Sequence, residues 1–130
     1  MNLYEQLLAE YDDDLIIREE PMISHGLYCD GCVWINESLP TAKKTSVLAE
    51  EIGHYMTSVG DILDQSDLNN AKQERRARAW AFNRVIPIER IIDAASKGYT
   101  QVYEMAEYLD VDEEFLREGL AYHGILDISL

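Results

Sequence analysis

Residues 41–56, TAKKTSVLAEEIGHYM, read as one helix whose middle carries polar groups that a core-facing helix cannot leave unpaired. Leu48, Ile52, Tyr55 and Met56 recur at three- and four-residue spacing, the mark of an apolar stripe, and Val47 and Ala49 widen it. Most of such a helix is destined for burial. Glu50, Glu51 and His54 nevertheless stand at its centre, with Glu50 and His54 four apart on one face and Gly53 leaving room beside them. Two carboxylates and an imidazole near a core are costly unless something pairs with them, and a metal ion does so.

The spacing is that of H-E-x-x-H with its first histidine replaced, giving Glu50-Glu51-Ile52-Gly53-His54. In the intact motif the side chains at i and i+4 point from one helical face to one zinc ion. The glutamate between them polarises a water as general base. The degenerate string also reads as an exposed acidic face on a solvated helix, so the rest of the chain has to decide between the two.

With 130 residues, the chain has the length of one domain, taken as residues 1–130, and can bury a core without disulfide staples. Apolar residues at 47% beside charged residues at 28% place it among globular proteins in water. No apolar run reaches the length of a membrane span. The first twenty residues are acidic where a secretion signal would be basic and then apolar, which points to the cytoplasm. Two cysteines are too few for a disulfide scaffold. The net charge of −14 is unevenly spread: residues 1–40 hold nine acids against Arg18 alone, whereas residues 72–90 hold six basic residues against Glu74 and Glu89. Such a surface repels a phosphate backbone over most of its area, which argues against direct nucleic-acid binding and for a protein partner.

Residues 3–11 form a short amphipathic helix ended by Asp12-Asp13-Asp14, and 15–18 a short strand. Residues 27–36 make a hairpin, with Asp30-Gly31 as the turn and Val33, Trp34 and Ile35 following. Ser38 and Pro40 supply the start of the central helix. Gly60 and Asp61 mark a loop, and Ser66 or Asp67 caps a helix over about 68–85 that Pro87 ends. Further helices follow at 88–97, closed by Gly98, then at 100–109 and 113–122, with Gly124 after the last. The expected architecture is α+β: a small N-terminal sheet with a hairpin, a central site-bearing helix, and packed C-terminal helices over about 99–130.

Glu74 supplies the second half of a candidate site. It lies on a helical face with Ala71, Ala77 and Ala81, a stripe of small side chains that lets a neighbouring helix approach closely. A carboxylate inside that stripe needs an arginine or a cation. Its separation of twenty residues from His54 allows one loop and one helical return. The competing reading pairs Glu74 with Arg75, Arg78 or another basic neighbour.

The strings Leu48-Ala49-Glu50-Glu51-Ile52-Gly53-His54-Tyr55 and Lys72-Gln73-Glu74-Arg75-Arg76-Ala77-Arg78-Ala79-Trp80-Ala81 together resemble the ImmA/IrrE family of small metallopeptidases, in particular its phage and mobile-element branch. The resemblance extends from Gly26-Leu27-Tyr28 to the 103–109 segment, and so covers most of the chain. It implies a minimal zincin-like fold and cleavage of a helix-turn-helix repressor. It also implies one divalent metal held by Glu50, His54 and Glu74, with Glu51 as the catalytic base. Two carboxylates and one imidazole make the ion a weaker Lewis acid than the usual two histidines and one glutamate. Zinc is the first expectation, and the harder ligand set admits manganese or iron. Weak activity, activity only with a partner, or loss of catalysis would each follow.

Other residues carry less. Cys29 and Cys32 form a C-x-x-C, but no second pair completes a zinc site, and they read as two thiols flanking a turn. His25 precedes Gly26 in a loop, where it either approaches the site or stays a surface histidine, and His123 suits a helix C-terminus. Residues 101–120 have the rhythm of a helix-turn-helix, yet residues 104–127 hold eight acids against Arg117, the wrong sign for a recognition helix. They read as packing helices with Met105, Leu109, Phe115 and Leu116 turned inward. Trp34 and Trp80 read as core, and Arg75, Arg76 and Arg78 as a solvated face. The leading expectation is therefore a metallo-endopeptidase. Its alternatives are a catalytically silent module that binds a repressor on the same fold, and a DNA-binding regulator built on the C-terminal helices.

Overall fold

The first helix, α1 (Leu3–Tyr11), starts with a capping box: the Asn2 side chain accepts from the Glu5 amide, and the Glu5 carboxylate accepts from the Asn2 amide. The computed structural model describes residues 1–58 and 67–125. After α1 come β1 (Ile16–Glu20), β2 (Gly26–Cys29), β3 (Cys32–Asn36), α2 (Thr41–Thr57), α3 (Asp67–Val85), α4 (Ile88–Ser96), α5 (Val102–Leu109) and α6 (Glu113–Tyr122). The architecture is α+β, with one small sheet near the N-terminus and helices after it.

The strand order is β1-β3-β2. β2 and β3 are the expected hairpin, and Asp30 and Gly31 take φ of 48° and 85°, the two left-handed residues that a tight hairpin turn demands. β1 pairs with the other edge of β3 in parallel, from Ile16 opposite Cys32 to Glu20 opposite Asn36. The strand expected over 15–18 therefore runs on through Glu19 and Glu20, residue types that favour strands little. Pairing with β3 overrides propensity there, and Glu19 is held by the Tyr4 hydroxyl at 2.7 Å and Lys44 Nζ at 2.6 Å.

Val33 and Ile35 are fully buried on β3 and face the core in which α2 lies. The next residue, Asn36, is a buried polar side chain with its bonds made. Its amide donates to the carbonyls of Met22 (3.0 Å) and Ser24 (3.2 Å), and its Oδ1 accepts from the Ser38 amide and hydroxyl. Ser38 thus serves Asn36 instead of capping α2. That helix begins after Pro40 without a side-chain cap.

Along α2, Val47, Leu48, Ala49 and Ile52 are buried as the stripe requires, and Tyr55 is half-buried. Met56 is 44% exposed, against expectation. Eight residues beyond Leu48, it has drifted about 80° around a helix of 3.6 residues per turn and leaves the packed face.

The main neighbour of α2 is α3. Ala77 and Ala81 are fully buried where the helices meet, while Ala71 is exposed, so the small-residue stripe covers only the later part of α3. α3 ends at Val85, and Pro87 is the residue that starts α4. Phe82 of α3 packs on Phe115 and Tyr122 of α6, with ring centroids 5.0 and 5.3 Å apart. Met105, Leu109, Phe115 and Leu116 are buried, so α5 and α6 are packing helices as read from sequence. Asp110 ends α5 in the left-handed conformation, and the Asp112 carboxylate caps α6 at the Phe115 amide. The loop expected at Gly60 and Asp61, the Ser66 or Asp67 cap and the last residues of the 99–130 segment lie outside the described side chains. Among the described residues, no helix is long and apolar enough to cross a membrane.

Candidate metal centre and cleft

Three elements meet at a cleft of about 330 Å³: the middle of α2 with Glu50 and Glu51, the middle of α3 with Glu74 and Arg78, and α6 with Glu114 and Glu118. Its remaining edge is the start of β2. A Cβ at Gly26 would lie 2.5 Å from Val47 Cγ1, 3.1 Å from the Trp34 carbonyl and 3.2 Å from Glu51 Oε2, so glycine lets the strand run this close to α2. The loop before it is pinned by the Asn36 side chain through Met22 and Ser24, and the Asn36 backbone N–H donates to the His25 carbonyl at 2.9 Å. His25 is exposed and lies in the cleft wall.

His54 Nε2 and Glu74 Oε1 are 3.1 Å apart, although His54 is not in the cleft wall itself. Glu74 does not sit inside the small-residue stripe as expected: its side chain is 61% exposed at the rim. Among the described residues it pairs with the histidine of α2 and not with an arginine, as the competing reading had it.

Glu50 is half-buried, with its Oε1 4.0 Å from Arg78 Nε, and Arg78 also pairs with Glu118. Arg78 was expected on a solvated face and belongs instead to the cleft. Burial pushes the Glu50 carboxyl above its usual range. Arg78 and then Lys43 oppose this, while Glu74 and Asp112 push it further up. Glu51, beside it, is pushed up to about 7, first by burial and then by the Glu50 and Glu74 charges.

Two ligands about 2.0–2.1 Å from one ion, at a tetrahedral angle, lie roughly 3.3–3.4 Å from each other. The His54–Glu74 distance of 3.1 Å is a little shorter, that of a direct hydrogen-bonded pair. The crowding of Glu50, Glu51 and Glu74 in a partly desolvated cleft is what a divalent cation relieves. Among the described residues, however, no three His, Cys, Asp or Glu side chains are already gathered as a metal site. In chemistry the carboxylates and the imidazole suit a divalent ion, while Glu50 lies 4.0 Å from Arg78 Nε.

Cys29 and Cys32 are free thiols and register partners on either side of the hairpin turn. His123 ends α6 with Nε2 2.9 Å from the Ile86 carbonyl, a structural role. Sequence reasoning missed Asp112, whose Oδ1 accepts from the buried Ser46 hydroxyl at 2.7 Å and whose Oδ2 lies 3.7 Å from Lys43 Nζ. It ties the N-terminus of α6 to α2 and so holds one side of the cleft. An aspartate before Glu113-Glu114 is readable as a helix cap, but its partner sixty-six residues away is not.

A search of curated proteins finds no match. A family model does match: the IrrE N-terminal-like domain of the M78 peptidases covers residues 7–121, from the first helix through the sheet, both site-bearing helices and nearly all of the last helix. That family implies a metallopeptidase fold and a divalent metal, typically zinc. This chain belongs to the M78 peptidase family, the group of the IrrE N-terminal-like domain.

Proposed function

We propose that the protein is a metal-dependent endopeptidase acting on a helix-turn-helix repressor of a phage or other mobile element. The observation that carries this reading is the approach of His54 to Glu74 at 3.1 Å, across two helices and beside the Glu50–Glu51 pair. In this reading Glu50, His54 and Glu74 hold one divalent ion, zinc or, with this ligand set, manganese or iron. Bound there, the ion supplies Lewis-acid polarisation of the scissile carbonyl.

Glu51 takes the proton of the attacking water and returns it to the leaving amine. Burial, the largest cause that raises the Glu51 carboxyl, favours its protonated form and so suits a group that takes a proton and hands it on. Membership in the M78 family supports the hydrolytic chemistry, and the repressor substrate follows the family resemblance.

A second reading is favoured by one observation, the placement of Glu50 within reach of Arg78 with no three-ligand group formed among the described residues. There the fold binds a repressor without cutting it. Incubating a co-encoded repressor with wild type, with Glu51→Gln and with chelator-treated protein separates the two. Peptidase action predicts fragments from wild type alone. A stable complex from all three, without fragments, would establish the binding module.

A further inference from the structure

A second concavity of about 550 Å³ runs along α3. Lys72, Arg75, Arg76 and Ala79 recur at three- and four-residue spacing and so share a helical face, which Phe82 continues. Tyr122 of α6 closes the groove. Its floor is apolar: Phe82 is almost fully buried, and the Tyr122 ring lies 5.3 Å from it, held by a 2.8 Å bond to Asn83. Among the described residues, four cations and no acid line this groove, one of the four, Arg78, being paired with Glu118, on a chain whose net charge is −14. Arg78 belongs to both hollows, so the basic groove continues the acidic cleft.

We propose that this groove binds an acidic segment of the protein substrate, with carboxylates meeting Lys72 and Arg75 and an aliphatic side chain resting on Phe82 and Tyr122. The inference rests on the peptidase reading only in calling that segment substrate. Charge complementarity selects it: an acidic peptide is repelled by most of this surface and attracted here, which orients it on arrival. A pocket of this volume with an apolar floor and a few charged groups fits a peptide side chain. Nucleic acid fits it less well, because the adjoining cleft presents Glu50, Glu51, Glu74, Glu114 and Glu118 to any phosphate that overran the groove.

The test is fluorescence anisotropy on chelator-treated Glu51→Gln protein with a short labelled peptide in which glutamates flank a central leucine. Lys72→Glu combined with Arg75→Glu is expected to weaken binding at least about tenfold, and Lys72→Gln with Arg75→Gln by about three- to fivefold. Replacing the peptide's glutamates with glutamine should weaken it about tenfold, and exchanging the leucine for serine should also weaken it. Binding indifferent to these changes, or tighter binding of a single-stranded oligonucleotide of equal charge, would overturn the proposal. Both substituted side chains are exposed, and an unchanged circular-dichroism spectrum confirms folding. Peptide binding as described without cleavage of any repressor would keep the groove and remove the peptidase reading. Cleavage by a protein that ignores the peptide would do the reverse.

Discussion

Gly53 of α2 and Ala77 of α3 meet with no side chain between them: a Cβ on Gly53 would lie 3.0 Å from both the Cα and the carbonyl carbon of Ala77. This apposition lets two helices approach closely enough for His54, the next residue, to reach Glu74 three residues before Ala77. Gly53→Ala gains about 1 kcal/mol of helix propensity but pushes backbone against backbone, where neither partner is a flexible side-chain end. The clash dominates. We expect a net loss of about 1–3 kcal/mol by urea unfolding, together with weaker metal binding. A variant as stable as wild type would show that the helices do not pack this closely.

Glu51 makes stability depend on pH. Its carboxyl is raised from 4.5 to about 7, so the associated stability is fully present below pH about 4.5 and is lost as pH rises through about 7. In metal-free protein, Glu51→Gln removes a charge that the fold disfavours. It should stabilise by about 1–2 kcal/mol at pH 8 and by little at pH 5. Thermal unfolding at the two pH values, with chelator present, reads the difference directly, and an equal effect at both would mean that Glu51 is not held up.

Arg78 competes with any cation for Glu50. An ion pair this long and partly exposed is worth about 0.5–1 kcal/mol, so its removal should tighten divalent-ion binding by roughly two- to fivefold. Calorimetric titration of Arg78→Gln with zinc measures this. Weaker binding by the variant would mean that Arg78 supports the metal-bound form.

Asp112 joins two helices through its cap on α6 and its bond to the buried Ser46 hydroxyl. Asp112→Ala should cost about 1–2 kcal/mol, mostly from the lost cap, because the Ser46 hydroxyl can still donate to the Lys43 carbonyl 3.0 Å away. Asp112→Asn keeps an acceptor at the cap and should cost less. Urea midpoints of the two variants decide, and equal losses would point to the Lys43 charge pair as the dominant contact.

The parts of this structure legible in the sequence are those governed by local patterning. The α2 stripe, the Asp30-Gly31 hairpin, α6 and the inward set of Met105, Leu109, Phe115 and Leu116 depend on spacing and turn chemistry within one segment. Glu19 and Glu20 in β1 were hidden because strand pairing, not propensity, placed them there. The site was half visible. Glu50, Glu51, His54 and Glu74 declared themselves as costly polar groups on helical faces, but which cation Glu50 faces depends on how α3 rotates against α2. That rotation is set by Gly53 and Ala77, and it brought Arg78 into the cleft from what read as a solvated face. The bonds of Asn36 to Met22 and Ser24, and of Asp112 to Ser46, span long separations in sequence and leave no local mark.

The account stands on a divalent ion shared by the two long helices, and zinc titration of chelator-treated protein by isothermal calorimetry tests it most directly. It predicts one ion per chain for wild type, and loss of affinity on the order of 100-fold or more in both His54→Ala and Glu74→Ala. Wild type that takes up no ion, or variants that bind as wild type does, would contradict it.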